Sequence, residues 1–507
     1  MKKNLTLMLL ASLLPFYLFS QVVTSFENHY SADFQTQDFL FEAGGDFMLI
    51  ANPASLARTD SVGMIRWTKS YTHPDVVETV RILPTAAGGY IILGDNGGLN
   101  ATQLFLMETD SVGDPIWMKT FSAGMGVDLL ATSDGGYLIM GFKYLDNIPY
   151  SVIKTDLNGN LLWSLTYANP DGEFFPADLC ESSMGEYIVA TTARNTSSFN
   201  QISLLKLSST GTVLQSRIST NTDNYTVRSL VPLANGGFMM QGDAIIPFDD
   251  GYIIGELSPL LDFVWLKHYS KQQDHQGVYM EQGANGNFQM LGYEGNLGGA
   301  RPTLLEFDAN GTIQYARRFG GSSNDRPLIM HTNGNLDIGF VGETTSFQPS
   351  GTKGHFAKFN LPSETTCWGF GTTYDVVNLN TTMASRTMTF GSFVTSSTAS
   401  LPTATNITQV GSVVCSSSSV NVLDPVPDLE VWPNPSSGRF NLRFSATEAH
   451  YRISVVDLLG RTVLSRSLHL SPGQLVQEEI ELGPRFGIGL LTIEANGRKT
   501  VRRIQGL

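Results

Sequence analysis

The chain has 507 residues, of which 42% are apolar, 15% charged and 10% aromatic. That length exceeds one ordinary domain unless the domain is a repeat or barrel, and the apolar share is too high for intrinsic disorder. A formal charge of −14 excludes general affinity for nucleic acid, whose phosphates demand a basic face.

Lys2 and Lys3, the apolar run from Leu5 to Phe19 and the small residue Ser20 before Gln21 have the order of a secretory signal peptide, so residues 1–20 are expected to be removed on export to the periplasm. The run falls short of the ~20 residues a membrane span needs and Pro15 interrupts it, so no transmembrane anchor is expected in the mature chain.

From there a turn followed by an apolar strand returns along the chain: Ala-Gly-Gly-Tyr-Ile-Ile-Leu-Gly at 87–94, Asp-Gly-Gly-Tyr-Leu-Ile-Met-Gly at 134–141, Asn-Gly-Gly-Phe-Met-Met-Gln-Gly at 235–242. The residue after the turn is Phe47, Tyr90, Tyr137, Tyr187, Phe238, Phe288 and Leu336, at intervals of 43 to 51 residues. A second landmark follows in most copies, an Asp-x-x-Gly type of turn leading to Trp67, Trp117, Trp163 or Trp265. Gln215 and Tyr315 take that place in copies four and six, and Trp368 is assigned to the seventh. Gly-rich pairs supply the positive φ of tight hairpins, so each copy predicts four short strands. A four-stranded meander cannot bury both faces alone, and radial stacking of seven copies predicts a seven-bladed β-propeller over residues 21–368. A linear solenoid is the competing arrangement. Val22–Tyr30 is expected to complete the last blade as its outer strand, and the Trp and Tyr landmarks are expected to pack between blades.

Candidate chemistry is sparse. Asp95, Asp243, Asp249, Asp250 and Glu343 follow the second strand of several copies and are the candidate ligand-binding residues, gathered on one rim. His268 and His275 lack the carboxylate spacing of a metal site, and Asp156 and Asp308 fit hairpin turns better than calcium loops, so neither metal nor cofactor is expected. No nucleophile elbow, phosphate loop or dinucleotide fingerprint occurs, and no catalytic residue is assigned. Among the three cysteines, Cys180 lies in an apolar strand and is expected to be a buried thiol. Cys367 and Cys415 bracket one segment and either bridge after export or remain thiols. The repeat resembles secreted bacterial propellers, which implies a fold and no activity.

Residues 369–416 lose the Gly-Gly landmark, become dense in Ser and Thr, and are expected to form a β-rich appendix. Residues 417–427 form a Ser- and Pro-bearing linker, and 428–507 a compact end domain. The last of these carries Pro433-Asn434-Pro435, Gly438 with Phe440, Asp457 with Gly460-Arg461, and Gly489 near a basic final strand. It resembles the type A C-terminal sorting domain of type IX (Por) secretion cargo. Leu490 departs from the aromatic residue usual after that glycine. The resemblance implies a small immunoglobulin-like β-sandwich, recognition by the outer-membrane type IX machinery as partner, and a secreted or cell-surface location. Two functions follow as expectations. One is a non-catalytic binding protein with a glycan or protein ligand, and the other an extracellular polysaccharide hydrolase or lyase using rim carboxylates as acid and base.

Overall fold

The computed structural model describes residues 23–505 except 32, 145–149, 168–173, 195–196, 198, 247–248, 272–273, 296–298, 321–322, 334–336, 347–351, 361–369, 372–373, 387, 389, 392–393, 408–410, 419–428, 433–438, 447–448, 458–460, 472–473, 483–487 and 496–497. The signal-peptide assignment, Leu336, Cys367 and Trp368 therefore lie outside the described residues. The chain divides into a unit spanning Val23–Ser418 and a second containing the end segment.

The larger unit is a propeller-like repeat of seven antiparallel sheets. Sheet three shows why these residues form these strands. Its chain-consecutive strands are Met125–Ala131, Tyr137–Phe142, Tyr150–Thr155 and Leu161–Tyr167. The second and third are buried along their whole length, as their unbroken apolar runs require. The Gly-Gly turn between the first two closes with Gly135 N–H donating to the Thr132 carbonyl at 3.0 Å. Gly136 has a φ of +87°, and a Cβ there would lie 2.0 Å from the Thr155 carbonyl oxygen, so only glycine fits. Phe47, Tyr90, Tyr137, Tyr187, Phe238 and Phe288 all open a buried second strand.

Every sheet has five strands, one more than the repeat predicts. The fifth comes from the Ser/Thr segment, which is part of the larger unit and not an appendix. After sheet seven the chain turns back and adds one edge strand per sheet in reverse order. Phe370–Gly371 joins sheet six, Asp375–Asn378 sheet five, Met383–Ser385 sheet four, Phe390–Gly391 sheet three, Ser396–Thr398 sheet two and Thr403–Ile407 sheet one. Gly411–Ser418 ends the circuit on sheet seven. There Val23–Tyr30 is the fourth strand, held between Lys353–Asn360 and Gly411–Ser418, so it is not the outer strand the sequence suggested.

One apolar cluster fills each junction between consecutive sheets, and Phe26, Phe39, Phe47, Val341 and Phe356 fill the junction of sheet seven with sheet one. The Trp landmarks explain part of this packing. Trp117, Trp163 and Trp265 each lie in a fourth strand and cover the turn glycine of the next sheet: a Cβ would stand 2.5 Å from Trp117 at Gly159, 2.8 Å from Trp163 at Gly211 and 2.8 Å from Trp265 at Gly311. Four residues on, Tyr30, Tyr71 and Tyr269 donate their hydroxyls to the carbonyls of Gly63, Gly113 and Gly311. Trp163 itself is half-buried and packs on Gly211 of the next sheet. In sheet seven the landmark is Phe26, pressed on Gly63, so Trp368 does not hold that place.

The end unit has two antiparallel sheets. One pairs Glu430–Trp432, Arg439–Ser445 and Leu475–Glu481; the other pairs Thr462–His469, His450–Asp457, Ile488–Ala495 and Arg498–Gln505. Phe440, Leu442, Phe444 and Ile480 from the first share a core with Tyr451, Ile453, Val455, Leu491 and Ile493 from the second.

Candidate functional site at the inner strands

The first strands of successive sheets neighbour one another, and that of sheet seven neighbours that of sheet one. Each has a register shift at the same place, and the residue that follows it is Asp38, Arg81, Asp128, Asp178, Ser229, Tyr279 and Ile329 in sheets one to seven. A bulge re-aims a side chain. Here it turns polar groups toward the neighbouring sheet.

Asp38 accepts from Ile82 N–H at 3.0 Å, Asp128 from Leu179 N–H at 2.9 Å, and Asp178 from Leu230 N–H at 2.6 Å. Each is a carboxylate of one sheet holding a backbone amide of the next. Arg81 donates through Nε to Asp128 at 3.1 Å, and Ser229 donates to Asp178 at 3.1 Å. Glu281 repeats the pattern from sheet six, accepting from Thr332 N–H at 2.7 Å. His331 then closes the set, with Nδ1 2.7 Å from Glu281 and Nε2 2.8 Å from Asp38. Burial works against a charge on His331, but the carboxylates of Asp38 and Glu281 hold its pKa up at about 10. Burial and the neighbouring Asp128 carboxylate push Asp178 well above the usual carboxylate range. Burial, with Asp178 and Glu281 nearby, raises the Tyr279 phenol. Cys180, two residues from Asp178, is a buried free thiol, its pKa raised by burial.

The carboxylates singled out in the sequence divide into two groups. Asp95, Asp243 and Glu343 sit at one equivalent place in the second strands of sheets two, five and seven, opposite Glu78, Thr226 and Arg326. Asp95 is buried and accepts from Gly97, Gly98 and, in the next sheet, Gly126 N–H at 3.2 Å; burial outweighs those bonds and raises its pKa. Asp243 accepts from Arg228 Nε at 2.9 Å and from the N–H of Gly277 in the next sheet. Asp249 and Asp250 lie before the third strand of sheet five and meet the two histidines. His268 Nδ1 is 3.8 Å from Asp249, and the pKa of Asp250 is raised by burial and by Asp274, with His275 and His268 opposing. Burial lowers the pKa of His268. Asp156 and Asp308 are turn residues, each accepting two backbone N–H bonds from residues two and four on.

A third group went unnoticed in the sequence. Glu27 and His29 on Val23–Tyr30 and His355 on Lys353–Asn360 have donor atoms within 4.8 Å of one another, all buried. Glu-x-His on a strand is the available signal, since alternate residues share a face.

In the end unit Asp457 and Gly489 are cross-strand partners and Arg461 is exposed, whereas Pro433, Asn434, Pro435, Gly438 and Gly460 lie outside the described residues. The family model described as "Secretion system C-terminal sorting domain" matches residues 430–505. Residues 430–505 are a secretion sorting domain. The sorting domain marks the protein as type IX cargo, exported to the cell surface or beyond it, with the secretion machinery as its partner. No helix among the described residues is long and apolar enough to cross a membrane.

No curated protein matches the chain. Solved structures similar to it include a mutant puromycin hydrolase in complex (11% identity, TM-score 0.40, covering 81% of this chain and 58% of that one). A eukaryotic initiation factor aligns at 9% identity and TM-score 0.31, over 72% of this chain and 98% of that one. A polysaccharide lyase aligns at 8% identity and TM-score 0.32, over 67% and 100%. The chain thus spans 58% of the length of the first of these.

Proposed function

We propose that this protein is a non-catalytic binding protein of the cell surface or medium, a seven-bladed β-propeller carried out of the cell by an immunoglobulin-like sorting sandwich at residues 428–507, after removal of residues 1–20. The observation that carries the reading is how the buried inner carboxylates are used. Both oxygens of Asp178 accept backbone N–H bonds, from Leu179 and Leu230, and Asp128 is divided between Arg81 and Leu179. Hydrogen bonds of this kind contribute roughly 0.5–1.5 kcal/mol each, and more where the acceptor is charged. A carboxylate so engaged is a latch between blades, and general acid or base work needs one with a free lone pair or proton facing substrate. Asp249 and Asp250, beside Asp274 and His268, form the part of the rim best suited to a ligand, because they combine partly exposed carboxylates with a nearby imidazole.

The test uses protein purified from culture supernatant, applied to a glycan array and to immobilised extracellular proteins. Saturable binding that Asp249→Asn and Asp250→Asn together weaken at least tenfold, with no shortening of any polymer, is expected. Release of reducing ends or unsaturated sugar from a bound polysaccharide would overturn the reading in favour of a hydrolase or lyase.

A further inference from the structure

We propose that Glu27, His29 and His355 form a structural zinc site that staples the first strand of the ring to its seventh sheet. Strand geometry assembles the trio. Glu27 and His29 are alternate residues of Val23–Tyr30 and share one face, while His355 is the direct cross-strand partner of His29. The two imidazole rings stand edge to face with centroids 5.3 Å apart. Glu27 Oε1 is 2.9 Å from His355 Nε2 and 3.9 Å from His29 Nε2. The side chains of Glu27, His29 and His355 are 5%, 1% and 0% exposed, so solvent does not satisfy them.

A second observation points the same way. Close as they are, Glu27 Oε1 and the ring nitrogens of His355 make no aligned hydrogen bond among the described residues. A buried carboxylate costs several kcal/mol unless paired, and a buried imidazole nitrogen without a partner adds to it. The inter-sheet carboxylates of the same ring show what satisfaction looks like, each holding one or more amides at 2.6–3.2 Å. A cation bound by Glu27 and His355 removes their deficit, and His29 stands as the third donor. Two imidazoles and one carboxylate form the borderline N/O set that zinc accepts at ~2.0–2.2 Å, and here one donor atom from each lies within 4.8 Å of the others. Three protein donors leave the fourth tetrahedral position to a water, and full burial closes it to substrate, so the site serves structure.

Its place gives it a role. Val23–Tyr30 is the earliest part of the chain in the ring and Lys353–Asn360 the last strand of the repeat, so the metal would bridge the two ends of the circuit at the sheet where the ring closes.

The experiment uses the full chain without a polyhistidine tag, stripped with chelator and dialysed against zinc. One zinc per chain by elemental analysis is expected, and a rise in Tm of roughly 5 °C at free zinc a thousandfold above Kd. Both should be lost in Glu27→Gln and in His355→Ala and kept in His73→Ala. Because a core variant can fail to fold, cobalt(II) is also titrated into the wild-type chain, where tetrahedral visible absorption displaced by one equivalent of zinc is expected. Fewer than about 0.2 zinc per chain, binding unchanged in a folded His355→Ala protein, or cobalt spectra of an octahedral aqua ion would each overturn the proposal.

Discussion

Replacing Gly211 by alanine tests whether the half-buried tryptophans hold adjacent sheets together. Gly211 has a φ of +80°, which costs a residue with a Cβ about 1–2 kcal/mol. That Cβ would also lie 2.8 Å from Trp163 Cδ2, so the indole must move. Moving it breaks the 3.0 Å bond from Trp163 Nε1 to the Ser209 carbonyl, a loss of about 1 kcal/mol. Losing roughly 40 Å² of indole contact adds about 1 kcal/mol at ~25 cal/mol per Å². The expected cost of Gly211→Ala is therefore about 3–4 kcal/mol in the wild-type background. Once Trp163→Ala has removed the obstacle, only the backbone term of about 1–2 kcal/mol remains. The double-mutant cycle should show a coupling of about 2 kcal/mol, read from guanidinium denaturation followed by far-ultraviolet circular dichroism. Additivity within about 0.5 kcal/mol would refute the contact between the two sheets.

The charge on His331 makes a pH prediction. A pKa raised to about 10 in the fold, from about 6.5 in the unfolded chain, gives stability that is complete below pH 6.5 and lost as pH rises through 10. Denaturation midpoints of wild type relative to His331→Gln should converge across that window, and a difference that stays constant from pH 6 to 10 would show that the charge does not contribute. Ending the chain at Asp428 removes the sorting domain and should leave a folded ring in the periplasm, scored by fractionation and immunoblot; normal appearance in the medium would refute the export route.

The repeat was legible because its turns are chemically demanding. Gly136 is confined by the Thr155 carbonyl, and such positions leave a periodic trace that fixes where each second strand begins. The outer strands left no trace, since Phe370–Gly371, Met383–Ser385 and Phe390–Gly391 are two or three residues long and too short to show alternation. The inner carboxylates were missed for a different reason. Asp38, Asp128 and Asp178 each precede an apolar residue within a strand and resemble solvated positions, because a bulge and not the pleat decides where they point. Their signal was a constant offset, nine residues ahead of Phe47, Tyr137 and Tyr187. Asp95 and Asp243 were found as acidic residues and read as rim groups, whereas burial and the amides of Gly126 and Gly277 make them ties between sheets.

The returning outer segment also gives the ring a mechanical order of failure. Tension on the chain beyond Ser418 falls first on Gly411–Ser418, then on Thr403–Ile407, and only afterwards on the shorter strands that follow round to sheet six. Each step would break one edge ladder while the four inner strands of that sheet keep theirs. Under such a pull the segment is expected to peel away strand by strand, like a tear strip. The first step would uncover Val23–Tyr30, the strand on which closure of the whole circle depends.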